Sequence, residues 1–542
     1  MSAGDHNGSL DPGHQSEVAF KRERRTRRIM SERRNQQFAR AAVIGVVAGL
    51  IAVVFQYSIF GVEELRTFVR SWFLDNHLPG YLVIPILGGL GGLFAGWVMQ
   101  RFAPETGGSG IPHVKAVLLH LREMRWVRVI IVKFAGGVAS LGAGLSMGRE
   151  GPTVQMGAAV GKGVAGFLKV PKRQEGQLIA GGAGAGLAAA FNAPLAGFLF
   201  VIEELQRELS PLTYGTALIA SVMASVVTRL ATGQLPSFLV PDYQAPPLSS
   251  LPVALVVGLV AGVLGAAFNK GLIVSLDGFK KLPKLKPKFR PAVIGVAAGL
   301  IGWFTPLVTG GGHATAEHLL RGEWNGVQFV PMLIGLLVAK FLLTVTSYGS
   351  GAPGGIFAPM LLIGATSGLL VGQMGHAWVP AITGSPSAFA VIGMAAFFAA
   401  SVRAPLTGAV LIIEMTANYD QLLALLIACF AAYWVAEHLG SRPIYEELLA
   451  RDLRNDDPQV VEAGEPILID LTVESGSALD SKELKDSGLP MGSLIVTVTR
   501  AGEEIVPSGG TILLPGDELT VVVSGRARHK IQEIEELGRS QQ

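Results

Sequence analysis

Two short motifs in the middle of the chain match each other: Gly148-Arg149-Glu150-Gly151-Pro152 and Gly355-Ile356-Phe357-Ala358-Pro359. They lie 207 residues apart, and the same offset relates Gly157-Ala158 to Gly364-Ala365. Each motif interrupts an apolar segment and places a proline in the first turn of a predicted helix. Such interruptions at matching positions of two halves are typical of a transporter binding site. A helix N-terminus presents unpaired N–H groups and a positive dipole end, so two of them facing one point predict an anion site.

Two further pairs of segments indicate an internal duplication. Ala193-Pro194-Leu195-Ala196-Gly197 recurs as Ala404-Pro405-Leu406-Thr407-Gly408, and Thr106-Gly107-Gly108 recurs as Thr309-Gly310-Gly311. The offsets grow from 203 through 207 to 211 in chain order. Compositional bias in a chain with 69 glycines explains one such match. Three matches in order favour a duplicated unit.

The composition predicts a membrane protein. Half of the 542 residues are hydrophobic, 16% are charged and the mean hydropathy is +0.45, which is too apolar for a soluble protein. A helix needs about 20 apolar residues to cross a bilayer, so shorter apolar segments are expected to be partial or re-entrant. The apolar segments are Ala41–Phe60, Leu82–Met99, Leu178–Val201, Leu251–Phe268, Pro291–Phe304 and Leu422–Ala436. The lone Cys429 excludes a disulfide framework within the chain.

The N-terminal segment, residues 1–35, is polar and basic and is expected to be disordered. Its lysines and arginines cluster between Lys21 and Arg34, directly before the first apolar segment. The positive-inside rule therefore places the N-terminus in the cytoplasm. Nucleic-acid binding is the alternative interpretation of a basic run, but contact with anionic lipid headgroups explains one beside a membrane span.

The C-terminal part of the chain has a different composition. Residues 452–465 are predicted to be a linker, and residues 466–538 a small α+β domain. Strands are predicted at Ile467–Thr472, Ser493–Thr499, Glu504–Val506, Thr511–Leu514 and Glu518–Ser524, and helices at Ser481–Ser487 and Ala527–Leu537. The turn Pro515-Gly516-Asp517 separates the last two strands. The predicted fold is thus an all-α polytopic membrane protein with broken and re-entrant helices, followed by a cytoplasmic α+β domain.

Two residues in the interrupted segments are candidates for ion handling. Ser109, within Gly108-Ser109-Gly110-Ile111-Pro112, is either an N-cap hydroxyl or a hydrogen-bond donor to an anion. Glu150 is a carboxylate in apolar surroundings, where a charge is costly unless it is paired or functional. An ion pair with Arg149 is the simple interpretation, although adjacent residues rarely face each other. The alternative is a titratable gate that occupies the anion's own place.

Three further acids and a tyrosine have two interpretations each. Glu203 and Glu204 end an apolar run, and they either mark a polar helix end or supply a proton acceptor. Neighbouring helical residues point about 100° apart, so one of the two is expected to face the interior. Glu414 is the matching acid of the second repeat, with a structural role left open. Tyr445 follows the last membrane segment, where an interfacial belt residue is favoured over a hydrogen-bond donor to an anion.

These motifs resemble those of the CLC family of chloride channels and proton-coupled chloride exchangers. The resemblance covers about residues 40–451. It rests on Gly108-Ser109-Gly110-Ile111-Pro112, the two Gly–Pro motifs quoted first, Tyr445, and Ala190-Phe191-Asn192-Ala193-Pro194-Leu195-Ala196-Gly197. It implies a homodimer of inverted-repeat subunits, each with its own anion pathway. The membrane domain is then residues 36–451, with repeats at about 36–275 and 288–451, in the plasma membrane with both termini cytoplasmic.

The resemblance also implies which groups bind the anion. Ser109 and Tyr445 would donate hydroxyl hydrogen bonds to a central anion, and the backbone N–H groups of Ile356 and Phe357 would complete its coordination. A serine at position 109 favours chloride, because nitrate-preferring relatives tend to carry proline there.

Two glutamates carry the proton in the implied mechanism. Glu150 would be the external gating glutamate, and Glu204, the second acid of the Glu-Glu pair, would be the internal proton glutamate. Passive channels of the family generally lack an acid at the latter position, so Glu204 favours an exchanger. The intact Gly148–Pro152 motif argues against the fluoride-exporting branch.

The C-terminal domain resembles a TrkA C-terminal domain, a regulatory module whose ligand would be a nucleotide such as cyclic di-AMP, an ion, or nothing. The expected function is secondary active exchange of chloride for protons, with a passive voltage- or pH-gated chloride channel as the alternative. A potassium transporter is disfavoured, since the sequence lacks a Thr-Val-Gly-Tyr-Gly filter. No enzyme, resident cofactor, metal site or nucleic-acid partner is expected, because no nucleophile–base pair or metal-ligand spacing stands out.

Overall fold

The computed structural model describes residues 12–119, 121–206, 211–238, 240, 247–380, 384–456, 467–500, 503–524 and 530–538. The chain divides into two units, Met1–Glu446 and Glu447–Gln542. The first unit is built from helices, and the second contains the sheet. The division confirms that a membrane part is followed by a separate C-terminal domain.

The first unit contains two sets of helices in the same order. In the described residues the first set is α1 (Pro12–Asp75), α2 (Gly80–Phe102), α3 (Ile111–Leu118), α4 (Trp126–Gly142), α5 (Glu150–Phe167), α6 (Lys172–Phe191), α7 (Pro194–Phe200) and α8 (Pro211–Thr232). The second set is α9 (Leu251–Lys280), α10 (Arg290–Phe304), α11 (His313–Leu320), α12 (Val330–Gly349), α13 (Phe357–Trp378), α14 (Pro386–Val402), α15 (Pro405–Thr416) and α16 (Leu422–His438). A last helix, α17 (Ile444–Asp456), follows them. The helices predicted after the two Gly–Pro motifs are confirmed as α5 and α13.

The second repeat begins earlier than the sequence indicated. Helix α9 packs on α12, α13, α14 and α16, as α1 packs on α4, α5, α6 and α8. Leu251 therefore opens the second repeat, and the predicted boundaries of about 36–275 and 288–451 are wrong at this point. The stretch between Lys280 and Arg290 is the connection between the first two helices of the second repeat.

Glycines allow paired helices to pack backbone against backbone in both repeats. A Cβ added at Gly157 of α5 would overlap the carbonyl group of Gly182 in α6. Gly364 of α13 and Gly393 of α14 meet in the same way. Close approach of this kind is what holds helices together in lipid, where burial of apolar surface drives association only weakly.

In the described residues, six helical segments are long and apolar enough to cross a membrane. They are Arg34–Asp75, Gly80–Phe102, Thr213–Thr232, Leu248–Lys280, Val327–Gly349 and Phe357–Trp378. The spans predicted at Ala41–Phe60, Leu82–Met99 and Leu251–Phe268 lie within three of them. Those predicted at Pro291–Phe304 and Leu422–Ala436 lie in the shorter helices α10 and α16.

The apolar segment Leu178–Val201 does not form one continuous helix. Helix α6 ends at Phe191, and α7 begins at Pro194. Between them Asn192 takes a left-handed backbone conformation with φ of 57°, which ends a helix. Pro194 then starts a new helix, since its missing N–H costs nothing in the first turn.

Helix α1 contains most of the basic N-terminal segment. It begins at Pro12 and runs to Asp75, so the disorder expected for residues 1–35 is wrong for residues 12–35. Residues 1–11 lie outside the described residues. The helix continues because the segment after Pro12 is rich in lysine, arginine and glutamate, which are good helix formers, and contains no further proline.

The second unit contains an antiparallel sheet in the order β1-β4-β2-β3. The strands are β1 (Ile467–Thr472), β2 (Ser493–Arg500), β3 (Glu503–Ile505) and β4 (Glu518–Val523), and helix α18 covers Ile531–Gly538. Its core consists of buried aliphatic side chains: Leu471, Val473, Leu479, Ile495, Val498, Leu513, Leu519, Val521, Val523 and Ile534. Four of the five predicted strands and the last helix are confirmed, although residues 527–529 of that helix lie outside the described residues.

Two elements predicted in this unit are wrong. In place of the strand Thr511–Leu514 there is an isolated bridge from Ile512 to Glu483. In place of the helix Ser481–Ser487 there is a single 3₁₀ turn at Leu484–Asp486. The two segments instead hydrogen-bond to each other as irregular chain. The start predicted for the linker at residue 452 is also wrong, since residues 452–456 belong to α17. Residues 457–465 lie outside the described residues.

A bidentate ion pair closes the turn before β4. Arg500 Nε and Nη2 donate to Asp517 Oδ1 and Oδ2 at 2.8 and 2.7 Å. These bonds from Arg500 hold the pKa of Asp517 below its usual range. The same carboxylate accepts a hydrogen bond from Leu514 N at 2.8 Å. The predicted turn at Gly516 is therefore fixed by side-chain contacts as well as by its glycine.

Gly157→Ala is expected to destabilise the membrane unit by about 1–3 kcal/mol, because the added methyl overlaps the Gly182 carbonyl and forces α5 and α6 apart. Gly166→Ala is the matched control on the same helix, where no atom lies near the added Cβ. The control should instead gain about 0.5–1 kcal/mol from alanine's helix propensity. Thermal unfolding of the purified variants in detergent measures both effects, and equal melting temperatures would contradict the packing argument.

Candidate ion-binding site

Helices α5 and α13 start from one point. The Gly148 N–H donates to the Gly355 carbonyl and the Gly355 N–H to the Gly148 carbonyl, both at 2.7 Å. Helix α5 begins at Glu150 and α13 at Phe357, and the N-cap residues Arg149 and Ile356 make no capping bond with their side chains. The unpaired N–H groups and positive dipole ends of both helices therefore lie together. The meeting of two helix N-termini expected from the repeat is confirmed.

The loop before α3 joins the same place. The Gly354 N–H donates to the Gly108 carbonyl at 3.0 Å. Gly108 and Gly110 have φ values of 60° and 81°, which strain any residue with a side chain. These two glycines allow the chain to turn sharply around Ser109, which is fully buried.

The Ser109 hydroxyl loosely caps α3. Its Oγ accepts a hydrogen bond from Ile111 N at 3.4 Å, and the Ser109 N–H donates to Tyr348 Oη at 3.5 Å. A hydroxyl that accepts a bond still has its own proton to donate. The capping and the anion-donating interpretations of Ser109 are therefore compatible.

Two lysines hold the loops from behind. Lys133 of α4 and Lys340 of α12 are fully buried. Lys133 Nζ donates to the carbonyls of Thr106 and Gly108 at 2.8 and 2.6 Å. Lys340 Nζ makes the same pair of contacts with the repeat-related loop, at 3.0 and 2.7 Å. Each ammonium satisfies two loop carbonyls and adds a buried positive charge next to the helix termini.

Tyr445 is fully buried, so the interpretation as an interfacial belt residue is wrong. Its ring stacks on Phe357 with centroids 6.4 Å apart. Its hydroxyl is buried without a hydrogen-bond partner among the described residues, and it lies within electrostatic range of Glu150 and Glu204. A buried hydroxyl of this kind is costly unless something accepts its proton.

Glu150 is buried at the start of α5, with 3% of its surface exposed. Its carboxylate interacts with the Ala358 N–H at the start of α13, and its Oε2 has no hydrogen-bond partner among the described residues. Arg149 turns away and donates to the Ala190 carbonyl at 3.2 Å. The interpretation as an Arg149–Glu150 ion pair is therefore wrong.

A cavity of about 1270 Å³ leads to Glu150. Its lining includes Glu63, Arg66, Arg149 and His313 along with many apolar side chains. Ionisable groups thus lie beside the Glu150 carboxylate in the cavity lining.

The three remaining acids have separate positions. Glu203 accepts bonds from the N–H groups of Leu406 and Thr407 at 3.1 and 2.7 Å, at the start of α15. Glu414 does the same for the first turn of α7, with distances of 3.1 and 2.8 Å. Glu204 instead is fully buried. One acid of the Glu-Glu pair thus faces the interior, as expected, and Glu414 has a structural role.

The sequence matches a family profile described as voltage gated chloride channel over residues 91–437. The chain belongs to this family, CLC. A second profile, described as TrkA-C domain, matches residues 468–535. Both resemblances expected from the sequence are confirmed, and the fold is the helical CLC fold followed by a TrkA-C domain.

Named relatives and solved structures support the assignment. A protein of Vibrio campbellii named H(+)/Cl(−) exchange transporter ClcA is 40% identical over 422 residues, which is 77% of this chain and 89% of that protein. The crystal structure of a slow cyanobacterial Cl−/H+ antiporter matches 77% of this chain and 98% of that one, at 38% identity and a TM-score of 0.73. A eukaryotic CLC transporter matches 78% and 75%, at 26% identity and a TM-score of 0.66.

Four residues of the site were not predicted from the sequence. Lys133 and Lys340 are single charges in apolar segments, and they are related by the same 207-residue offset as the two motifs. The internal repeat could therefore have identified them. Lys115 follows Ser109 by six residues, and nothing in the sequence shows that it reaches Glu204. Tyr348 lies in an apolar helix, where a tyrosine alone gives no indication of its contacts.

Removal of either capping glutamate is expected to destabilise the membrane unit to a similar extent. Glu203→Ala and Glu414→Ala each leave two N–H groups in the first turn of a helix without their acceptor, which costs about 1–3 kcal/mol. Glutamine at either position keeps an acceptor oxygen and should lose less. Thermal unfolding in detergent measures the four variants. A Glu414→Ala protein as stable as the wild type would show that the two caps are not equivalent.

Proposed function

We propose that the protein exchanges chloride for protons across the plasma membrane as a secondary active antiporter. The observation that carries this proposal is a pair of buried acids, Glu150 and Glu204, with the hydroxyl of Tyr445 in electrostatic range of both. A buried acid inside a membrane protein is costly and marks a proton or ion pathway. The names of the relatives support the same substrates.

In this proposal the anion binds where α5, α13 and the Ser109 loop meet. The hydroxyls of Ser109 and Tyr445 donate to chloride, and the backbone N–H groups of Ile356 and Phe357 complete the coordination. The support is the burial of all four residues and the start of α13 at Phe357, where Ile356 makes no capping bond with its side chain. Lys133 adds positive charge without contacting the anion, because its ammonium is committed to two carbonyls.

Glu150 is the external gate of the proposed exchanger. When ionised, its carboxylate takes the place of an anion at the helix termini, where it interacts with the Ala358 N–H. When protonated, it loses this attraction, and chloride replaces it. Because the same group binds the proton and competes with chloride, the two movements are coupled.

Glu204 is the proposed proton acceptor on the cytoplasmic side. It is fully buried, whereas its neighbour Glu203 is held by the start of α15. In this proposal Glu204, and not Glu203, accepts the proton that enters from the cytoplasm. A passive chloride channel on the same scaffold would move chloride without using Glu204.

We further propose a homodimer with both termini in the cytoplasm and a regulatory C-terminal domain. The basic run before the first span supports the orientation by the positive-inside rule. The family resemblance supports the dimer. The TrkA-C domain would act through a nucleotide or an ion, or by supporting the dimer alone, and the exchange step itself requires no resident cofactor.

An outward proton gradient should drive chloride into liposomes against its own gradient, because an exchanger moves the two ions in opposite directions. Glu150→Gln is expected to abolish this uphill uptake and to make downhill chloride flux insensitive to external pH, because glutamine resembles the protonated acid permanently. Ion-selective electrodes measure both fluxes in the same vesicles. Downhill flux without uphill uptake in the wild type would identify a passive channel, and normal coupling in Glu150→Gln would exclude the gating role.

Glu204→Gln should stop proton transport while leaving downhill chloride flux. The amide keeps the size of the side chain but does not take up a proton at neutral pH. Glu203→Gln is the matched control at the adjacent position and should retain coupling, since that residue caps α15. Proton pumping in Glu204→Gln that disappears in Glu203→Gln would reverse the two roles.

A further inference from the structure

Glu204 is paired with a buried lysine. Lys115 Nζ lies 2.7 Å from Glu204 Oε1. The side chain of Lys115 is 8% exposed and that of Glu204 is fully buried. An ion pair so far removed from water differs from a surface pair, because removal of one partner leaves an uncompensated buried charge.

The lysine connects the two candidate sites through one short helix. Helix α3 starts directly after the Ser109 loop and carries Lys115 four residues after Ile111, about 6 Å further along the helix axis. One end of α3 therefore adjoins the proposed chloride site and its next turn holds the proposed proton acceptor.

The other titratable groups on the surrounding elements are engaged elsewhere or carry no positive charge. Glu203 caps α15, and His113 of α3 contacts the Gln155 side chain of α5 at 3.2 Å. Lys162 of α5 pairs with Glu175 of α6. Tyr445 of α17 presents a phenol, and Tyr348 of α12 accepts from Ser109. Lys115 is the cation that directly contacts Glu204 in the described residues.

We propose that Lys115 is a positioning residue for the proton step, which holds the Glu204 carboxylate ionised and turned toward α3 until a proton arrives from the cytoplasm. This inference rests on the proposed exchange function. The attraction between the ammonium and the carboxylate opposes protonation, so Lys115 sets the internal pH at which proton transport begins. A neutral side chain at position 115 would allow the buried carboxyl group to take up its proton at higher pH.

The test is the dependence of proton transport on internal pH in liposomes at fixed external pH and chloride. In Lys115→Met the midpoint should move about 1–3 pH units upward, the range produced by an opposite charge in close contact. Lys115→Arg keeps the charge and should remain near the wild type. Lys162→Met is the matched control. It removes the lysine from the Lys162–Glu175 ion pair and should leave the midpoint unchanged.

Two comparisons separate a specific role from a structural one. In the Glu204→Gln background, Lys115→Met should leave downhill chloride flux unchanged, because the lysine then has no carboxylate to control. Lys115→Gln is a second neutral variant that retains a hydrogen-bond donor, and its midpoint should also rise.

The outcomes distinguish this inference from the proposed function. A wild-type protein that does not couple protons to chloride overturns the function. A coupled wild type with unshifted midpoints in both neutral variants overturns the role of Lys115. If neither neutral variant folds, the infrared carboxyl band that disappears in Glu204→Gln decides: the inference requires an ionised Glu204 at neutral pH, and a protonated one overturns it.

Discussion

The structure depends on how helix N-termini inside the membrane satisfy their free N–H groups. Water is absent from the bilayer core, so each such group needs an acceptor from the protein or a bound ion. Where α7 and α15 begin, carboxylates from the other repeat, Glu414 and Glu203, supply the acceptor. Where α5 and α13 begin, the N-cap residues Arg149 and Ile356 make no capping bond with their side chains, and the Glu150 carboxylate interacts with the Ala358 N–H. Two of these termini are thus closed by acids of the other repeat, and the other two meet beside Glu150.

Glu150 also places its carboxylate at a helix N-terminus. Its interaction with the Ala358 N–H is the counterpart, at α13, of the bonds that Glu203 makes with α15. Glu203 makes bonds to two backbone N–H groups, whereas the Glu150 Oε2 has no partner and the side chain lines a cavity. Both are acids at a helix terminus, and they differ in that the Glu150 side chain lines a cavity.

The sequence predicts the parts of the site that are repeated. The motifs around Glu150 and Phe357, the Ser109 loop and the matched Ala-Pro segments are local patterns, and each opens a helix where expected. Tyr445 and the start of the second repeat at Leu251 were misplaced, because their positions depend on packing across the unit. From the sequence alone, a tyrosine after a membrane segment looks the same whether it lies at the membrane interface or in the protein core. The Ala193-Pro194 segment indicates the helix start at Pro194, whereas the left-handed Asn192 that ends α6 is seen only in the structure.

The different contacts of Glu203 and Glu204 could not be predicted from the sequence. The two residues are adjacent, yet one caps a helix more than 200 residues later in the chain and the other meets Lys115. They lie in a π-helical turn, Val201–Gln206, which is wider than an α-helical turn and often found at functional sites. Since the partners come from α15 and α3, tertiary contacts decide which of the two acids caps a helix and which pairs with a lysine. Adjacent acids in a membrane helix therefore acquire different chemistry only once both repeats have folded around them.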